Sequence, residues 1–182
     1  MYTRRIRNPL LRNIAEWIVS ILLGILLFLV VRNFLFRLAH VEGNSMEPTL
    51  LHGDMVILNR FSYLFSDPRL GDIVAFPYPQ DPSEYYIKRI VAVPGDTVDL
   101  RNGTFYVNGS PLDDDFSYDL ILARGDVDFP ITIEEGRYFV LGDNRNGSVD
   151  SRFQSVGTIQ SSEMVGRVAI RLWPIGRFGQ VD

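Results

Sequence analysis

One run of residues limits the architecture of this chain more than any other. Ile14 to Val31 reads IAEWIVSILLGILLFLVV, and Glu16 is its only charge. A helix that crosses a bilayer needs about 20 mostly apolar residues, with roughly 17 as the lower bound. This run suffices for one crossing. A cleavable signal peptide has an apolar region of only about 7–15 residues and ends at small residues. Here the segment is longer and runs on into VVRNFLFRLAH, so a permanent anchor is expected. The expected division is a basic cytoplasmic tail over 1–13, a transmembrane helix over 14–32 and an extracytoplasmic body over 38–182. Arg4, Arg5, Arg7 and Arg12 precede the span, while Arg32 and Arg37 come after it. The excess of arginine on the N-terminal side keeps the N-terminus in the cytoplasm by the positive-inside rule. Trp17, Phe34 and Phe36 suit interfacial anchors. The body is therefore expected on the outer face of the plasma membrane.

Charge and composition remove several function classes. Residues 1–37 hold six arginines and one acid, which leaves 12 basic and 21 acidic residues for the rest. An acidic body is a poor partner for nucleic acid, whose phosphates need clustered positive charge. There is no cysteine, so disulfides, thiolate metal sites and cysteine nucleophiles are excluded together. His40 and His52 are the only histidines and do not make a zinc site alone. The chain has 17 arginines and a single lysine, Lys88. A coding preference for arginine is the bland explanation for most of the skew. It also leaves Lys88 as the one side chain able to offer a neutral amine, since arginine is effectively never deprotonated.

Past residue 50 the pattern changes to short alternating runs, the signature of strands. The candidates are Met55–Asn59, Asp72–Phe76, Tyr85–Val93, Thr97–Arg101, Thr104–Val107, Arg137–Leu141 and Val165–Leu172. Asn102-Gly103 joins two of them with a strong hairpin signal. Pro77, Pro79 and Pro82 mark a loop, and the acidic residues 110–130 read as an exposed excursion. The fold class is mainly β: one transmembrane helix, then a compact antiparallel catalytic-sized domain with few other helices.

Three clusters carry chemistry. The first is NSMEPTL, where Ser45 lies just past the anchor. In the second, YYIKRIVAV, period-two alternation puts Tyr86, Lys88, Ile90 and Ala92 on one face and Ile87, Arg89 and Val91 on the other. A lysine on an apolar face either snorkels to water or is desolvated. Desolvation lowers its pKa, and a drop of about two units, roughly 3 kcal/mol, makes it a base near pH 8. The third, LGDNRNGSVDSR, is dense in turn formers. There Asp150 and Arg152 can pair, and Ser148 or Ser151 can hydrogen-bond a lysine. A Ser45–His52–Asp54 triad is the alternative arrangement, although nearness in sequence does not make a triad and His52 in LHGD reads as a turn residue.

Taken in order behind the anchor, GNSMEPTL, GDIVAF, YYIKRIVAVPGD, GDNRNGSVDSR and the closing RLWPIGRFG resemble the type I signal peptidase family. The resemblance implies a membrane-bound serine endopeptidase that removes signal peptides from secretory preproteins, cutting after small residues in an A-x-A-like pattern. It implies Ser45 as nucleophile, Lys88 as general base and Ser148 as the group that orients the lysine. Asp143 becomes a loop-stabilising carboxylate, and Asp150 with Arg152 a structural ion pair. Val41, Met46, Leu50 and Ile87 become walls of the substrate pockets. No metal or organic cofactor is implied. The implied partners are preproteins and the lipid bilayer near the secretion translocon, with no nucleic acid. One departure stands out: some members carry a hydroxyl two positions before the nucleophile to help bind the oxyanion, and Gly43 occupies that position here. The rival readings are a self-cleaving repressor on the same catalytic fold, and a membrane-anchored β module that only binds a partner.

Overall fold

The structure is a computed structural model that describes residues 9–112 and 120–181. Arg4, Arg5, Arg7 and part of the acidic excursion lie outside the described residues. The apolar run forms α1 (Pro9–Leu35), longer at both ends than the expected 14–32. None of its apolar window from Arg12 to Leu29 is buried against the body, and the helix is long and apolar enough to cross a membrane.

Twelve strands come after it among the described residues: β1 (Phe36–His40), β2 (Met55–Asn59), β3 (Ile73–Tyr78), β4 (Asp81–Ala92), β5 (Thr97–Arg101), β6 (Thr104–Val107), β7 (Ser110–Pro111), β8 (Ile131–Thr132), β9 (Arg137–Leu141), β10 (Ile159–Gln160), β11 (Gly166–Trp173) and β12 (Gly179–Gln180). A one-turn helix, α2 (Ser62–Phe65), lies just after β2. The main sheet runs β1-β2-β11-β3-β4-β9-β10, with β12 added beside β11, and a small sheet runs β7-β6-β5-β8. Every pairing is antiparallel. The chain is therefore mainly antiparallel β with one N-terminal apolar helix, as its sequence pattern implies.

Local chemistry explains the turns. Asn102 and Gly103 both take positive φ, 51° and 78°. That is the two-residue hairpin turn whose twist matches its strands. Pro77 and Pro82, expected in a loop, lie instead inside β3 and β4. Proline offers no N–H to a ladder and is tolerated where pairing is irregular. The register of β3 against β4 shifts just after Pro77.

The core divides into three apolar clusters. Val41, Met46, Leu50, Val56, Ile73 and Ala75 belong to one, and Val74, Phe76, Ile90 and Val140 to a second. The third holds Val91, Ala92, Val98, Phe105, Phe139 and Leu141, and it fastens the small sheet to β4 and β9. Strict alternation places Ala92 on the face of Lys88 and Ile90. A register shift between Ile90 and Ala92 turns it instead into the third cluster beside Val91, as a β-bulge does.

Two strand edges face each other across a groove. β1 ends the main sheet, so its outer edge is unpaired among the described residues. β4 is paired with β9 only from Arg89 onward, so its stretch from Asp81 to Lys88 also keeps one edge unpaired among the described residues. Arg37 on β1 lies over the Tyr85 ring of β4 at 4.8 Å, which brings the two edges to opposite walls of the groove.

Candidate active site

The groove has a volume of about 610 Å³ and contains both Ser45 and Lys88 in its lining. Ser45 sits on the loop between β1 and β2. Met46 and Leu50, 2% and 0% exposed, pin that loop into the core. Its ends are tied by Val41 N–H donating to Asp54 O at 2.8 Å and Gly53 N–H donating to Val41 O at 2.9 Å.

Lys88 reaches the serine from β4, one residue before that strand starts to pair with the end of β9 at Arg89 and Leu141. Its Nζ lies 2.8 Å from Ser45 Oγ and 3.1 Å from the Ile87 carbonyl, with the Tyr86 ring 4.8 Å away. The side chain is only 3% exposed, which decides between the two readings of an apolar-facing lysine: it does not snorkel. Burial pushes its pKa down from 10.5 to about 8, against a partial upward pull from Asp150 and Asp143. A buried amine close to neutrality within hydrogen-bond reach of a hydroxyl has the geometry and the basicity of a general base.

The loop after β9 braces this pair. Asp143 takes a bidentate bond from Arg89 at 2.9 and 3.0 Å and a third from Thr49 Oγ1 at 2.6 Å. It thereby locks the serine loop to β4. Asp150 and Arg152, both 0% exposed, form a second bidentate pair at 2.8 and 2.9 Å. Arg152 also donates to the carbonyls of Ala123, Arg145 and Ser148, so one guanidinium gathers the whole turn. Asn144 donates its backbone N–H to Ser45 O at 3.1 Å and its side-chain amide to Asn44 O at 3.2 Å.

Several expected residues sit differently from their expected roles. Ser148 is buried at the site, yet its Oγ has no hydrogen-bond partner among the described residues. Lys88 Nζ donates its second bond to the Ile87 carbonyl instead. Ser151 accepts from the Val140 N–H and so belongs to the strand frame. Val41, Met46 and Ile87 line the groove, but Leu50 does not; it is fully buried beneath. The His52–Asp54 alternative does not assemble: His52 Nδ1 accepts from Gly43 N–H, and Asp54 faces Arg171 and Arg177 at 3.4 Å. Among the described residues no acidic or histidine cluster is placed to hold a metal.

Sequence reasoning passes over Gly142, Thr49 and Asn144, whose roles depend on contacts between distant segments. Gly142 leaves no room for a side chain. A Cβ there overlaps Ser148 Oγ and the Ser45 carbonyl oxygen, the latter being main chain that cannot swing aside. Gly142→Ala is expected to displace the Ser45 turn and lower kcat by about 100-fold, since misplacement near 1 Å costs that much. Steady-state cleavage kinetics check this, and a kcat within threefold of wild type shows that the turn has slack.

Comparisons with known proteins identify the family. The family described as signal peptidase, peptidase S26, matches residues 14–173. Signal peptidase I P of Bacillus subtilis subsp. natto is 33% identical over 172 residues, covering 91% of this chain and 92% of that protein. Signal peptidase IB of Staphylococcus aureus strain COL is 35% identical, covering 92% and 93%. A crystal structure of a signal peptidase I from Enterococcus faecalis V583 shares 31% identity over 57% of this chain and 98% of its own, with a TM-score of 0.48. With a family match from the anchor to Trp173 and relatives aligned over nearly their whole lengths, the chain belongs to the signal peptidase family, peptidase S26, and is a serine peptidase.

Proposed function

We propose that this protein removes signal peptides from secretory preproteins at the outer face of the plasma membrane, with Ser45 as nucleophile and Lys88 as general base. The observation that carries the reading is the 2.8 Å contact between Lys88 Nζ and Ser45 Oγ, made by a lysine whose pKa burial lowers to about 8. Neutral Lys88 takes the Ser45 proton as the Oγ attacks the scissile carbonyl. The tetrahedral intermediate collapses to an acyl-enzyme while Lys88 returns that proton to the departing amine. Lys88 then takes a proton from water, which attacks the ester, and gives it back to Ser45 as the acid product leaves. The Ser45 N–H is the oxyanion donor at hand, since Gly43 brings no hydroxyl.

Substrate enters as a strand. The free edges of β1 and β4 offer main-chain donors and acceptors on both sides of the groove, which suits an extended peptide added between them. Val41, Met46 and Ile87 make shallow apolar walls that favour small residues before the cut. α1 anchors the chain with its basic end in the cytoplasm, and it holds the groove beside the bilayer, where a signal peptide's apolar stretch still lies.

The test is cleavage of a preprotein by the full-length protein in lipid and detergent across pH. The expected result is a single cut after a small residue, at a rate that rises tenfold per pH unit to about pH 8 and then levels, with Ser45→Ala inactive. Undiminished cutting by Ser45→Ala, or a flat profile from pH 6 to 9, overturns the assignment.

A further inference from the structure

The nucleophile loop begins as a ladder. Val41 exchanges hydrogen bonds with Asp54 and Gly53 through backbone alone. The next rung is different, because Gly43 N–H donates to the imidazole Nδ1 of His52 at 3.2 Å. The ring stands where a partner carbonyl would stand. Gly43 is at φ +82°, a conformation favoured by glycine and held only if its surroundings fix it. Downstream of that point, Asn144 clamps the carbonyls of Asn44 and Ser45. Upstream, the bond to His52 is the corresponding clamp. A ring that accepts at Nδ1 carries its proton on Nε2, so it offers Gly43 a lone pair.

We propose that His52 is a positioning residue for catalysis, its Nδ1 fixing the Gly43 turn and through it the direction of the Ser45 N–H and Oγ. The inference rests on the reading of Ser45 as nucleophile. It assigns His52 no proton transfer, since its accepting nitrogen is engaged by Gly43 and Ser45 Oγ is held by Lys88. It also explains how a family member with glycine two residues before the serine keeps that turn in place: a side chain from the far arm of the loop holds the backbone. His52 lies outside the groove lining, so its loss falls on the chemical step rather than on substrate binding.

Histidine mimics separate this role from a general structural one. Asn places Oδ1 near the position of Nδ1, whereas Gln places its amide near Nε2. Full-length wild type, Ser45→Ala, His52→Ala, His52→Asn and His52→Gln are compared in lipid and detergent, with kcat and KM for a test preprotein and the thermal midpoint of each. The expected result is a fall in kcat of about tenfold for His52→Ala and His52→Gln with KM within twofold, and recovery of most of that loss in His52→Asn. Equal kcat in the Asn and Gln variants overturns the proposal, as does wild-type kcat in His52→Ala or a loss that simply tracks the thermal midpoint. In each of those cases an inactive Ser45→Ala leaves the nucleophile assignment standing. Persistent cleavage by Ser45→Ala removes that assignment and this proposal with it.

Discussion

Lys88→Met is expected to be folded, more stable than wild type below pH 8, and slower in cleavage by about 10⁴-fold, the upper range for loss of a positioned acid–base group. Both effects have one cause. Lys88 is 3% exposed, and its pKa falls from 10.5 to about 8 on folding. Between those two values the unfolded chain holds the extra proton, so wild-type stability rises as pH climbs through the window. Below about pH 8 both states are protonated, and the fold carries the whole cost of a buried ammonium, about 3 kcal/mol. Methionine has nearly the same shape and no charge, so it removes that cost along with the base. Denaturant titrations at pH 6.5 and pH 10 are the measurement. A variant less stable than wild type at pH 6.5 shows that the ammonium is well solvated in the fold, and the burial argument fails.

Breaking the Asp150–Arg152 pair has the largest expected cost in stability. Both side chains are fully buried, and removing one charge leaves the other uncompensated, at about 3–5 kcal/mol. Asp150→Ala also orphans the Gly142 N–H, which donates to Oδ2 at 3.1 Å. Replacing both, as in Asp150→Leu with Arg152→Met, is expected to recover part of the loss, because no lone charge remains. The carbonyls of Ala123, Arg145 and Ser148 still lose their donor, so recovery is incomplete. The acid limb of the activity profile moves as well. Asp150 raises the Lys88 pKa, so its removal shifts that limb to lower pH. A single-variant loss under about 1 kcal/mol in urea unfolding marks the pair as dispensable.

The strands of the body are legible where side-chain alternation and turn chemistry coincide. β2, β5, β6 and β9 have the bounds that their residues imply, and Asn102-Gly103 forms its hairpin. β1 is not legible, because FRLAH continues the apolar run and its Phe36 and Leu38 remain exposed on an edge strand. β8, β10 and β12, two residues each, are too short to show any period. At the site, Ser45 and Lys88 stand out through a loop motif and a unique lysine. Their braces do not, since Thr49 meets Asp143 across 94 positions and no local pattern encodes that. The ion pair of Asp150 and Arg152 is readable because its members are two residues apart. The bond from Gly43 to His52 is not, because a histidine beside a glycine reads as a turn whatever its ring accepts.

The two free edges of β1 and β4 have a wider consequence. An exposed strand edge invites any other sheet to pair with it and is a standing hazard for aggregation. Here the edges face inward across one narrow groove, so a second sheet, or a strand already paired to its neighbours, does not fit. What fits is a single unpaired chain. The geometry therefore filters for unfolded chain before the groove walls choose among side chains, because only main chain with unpaired donors and acceptors can add to both edges.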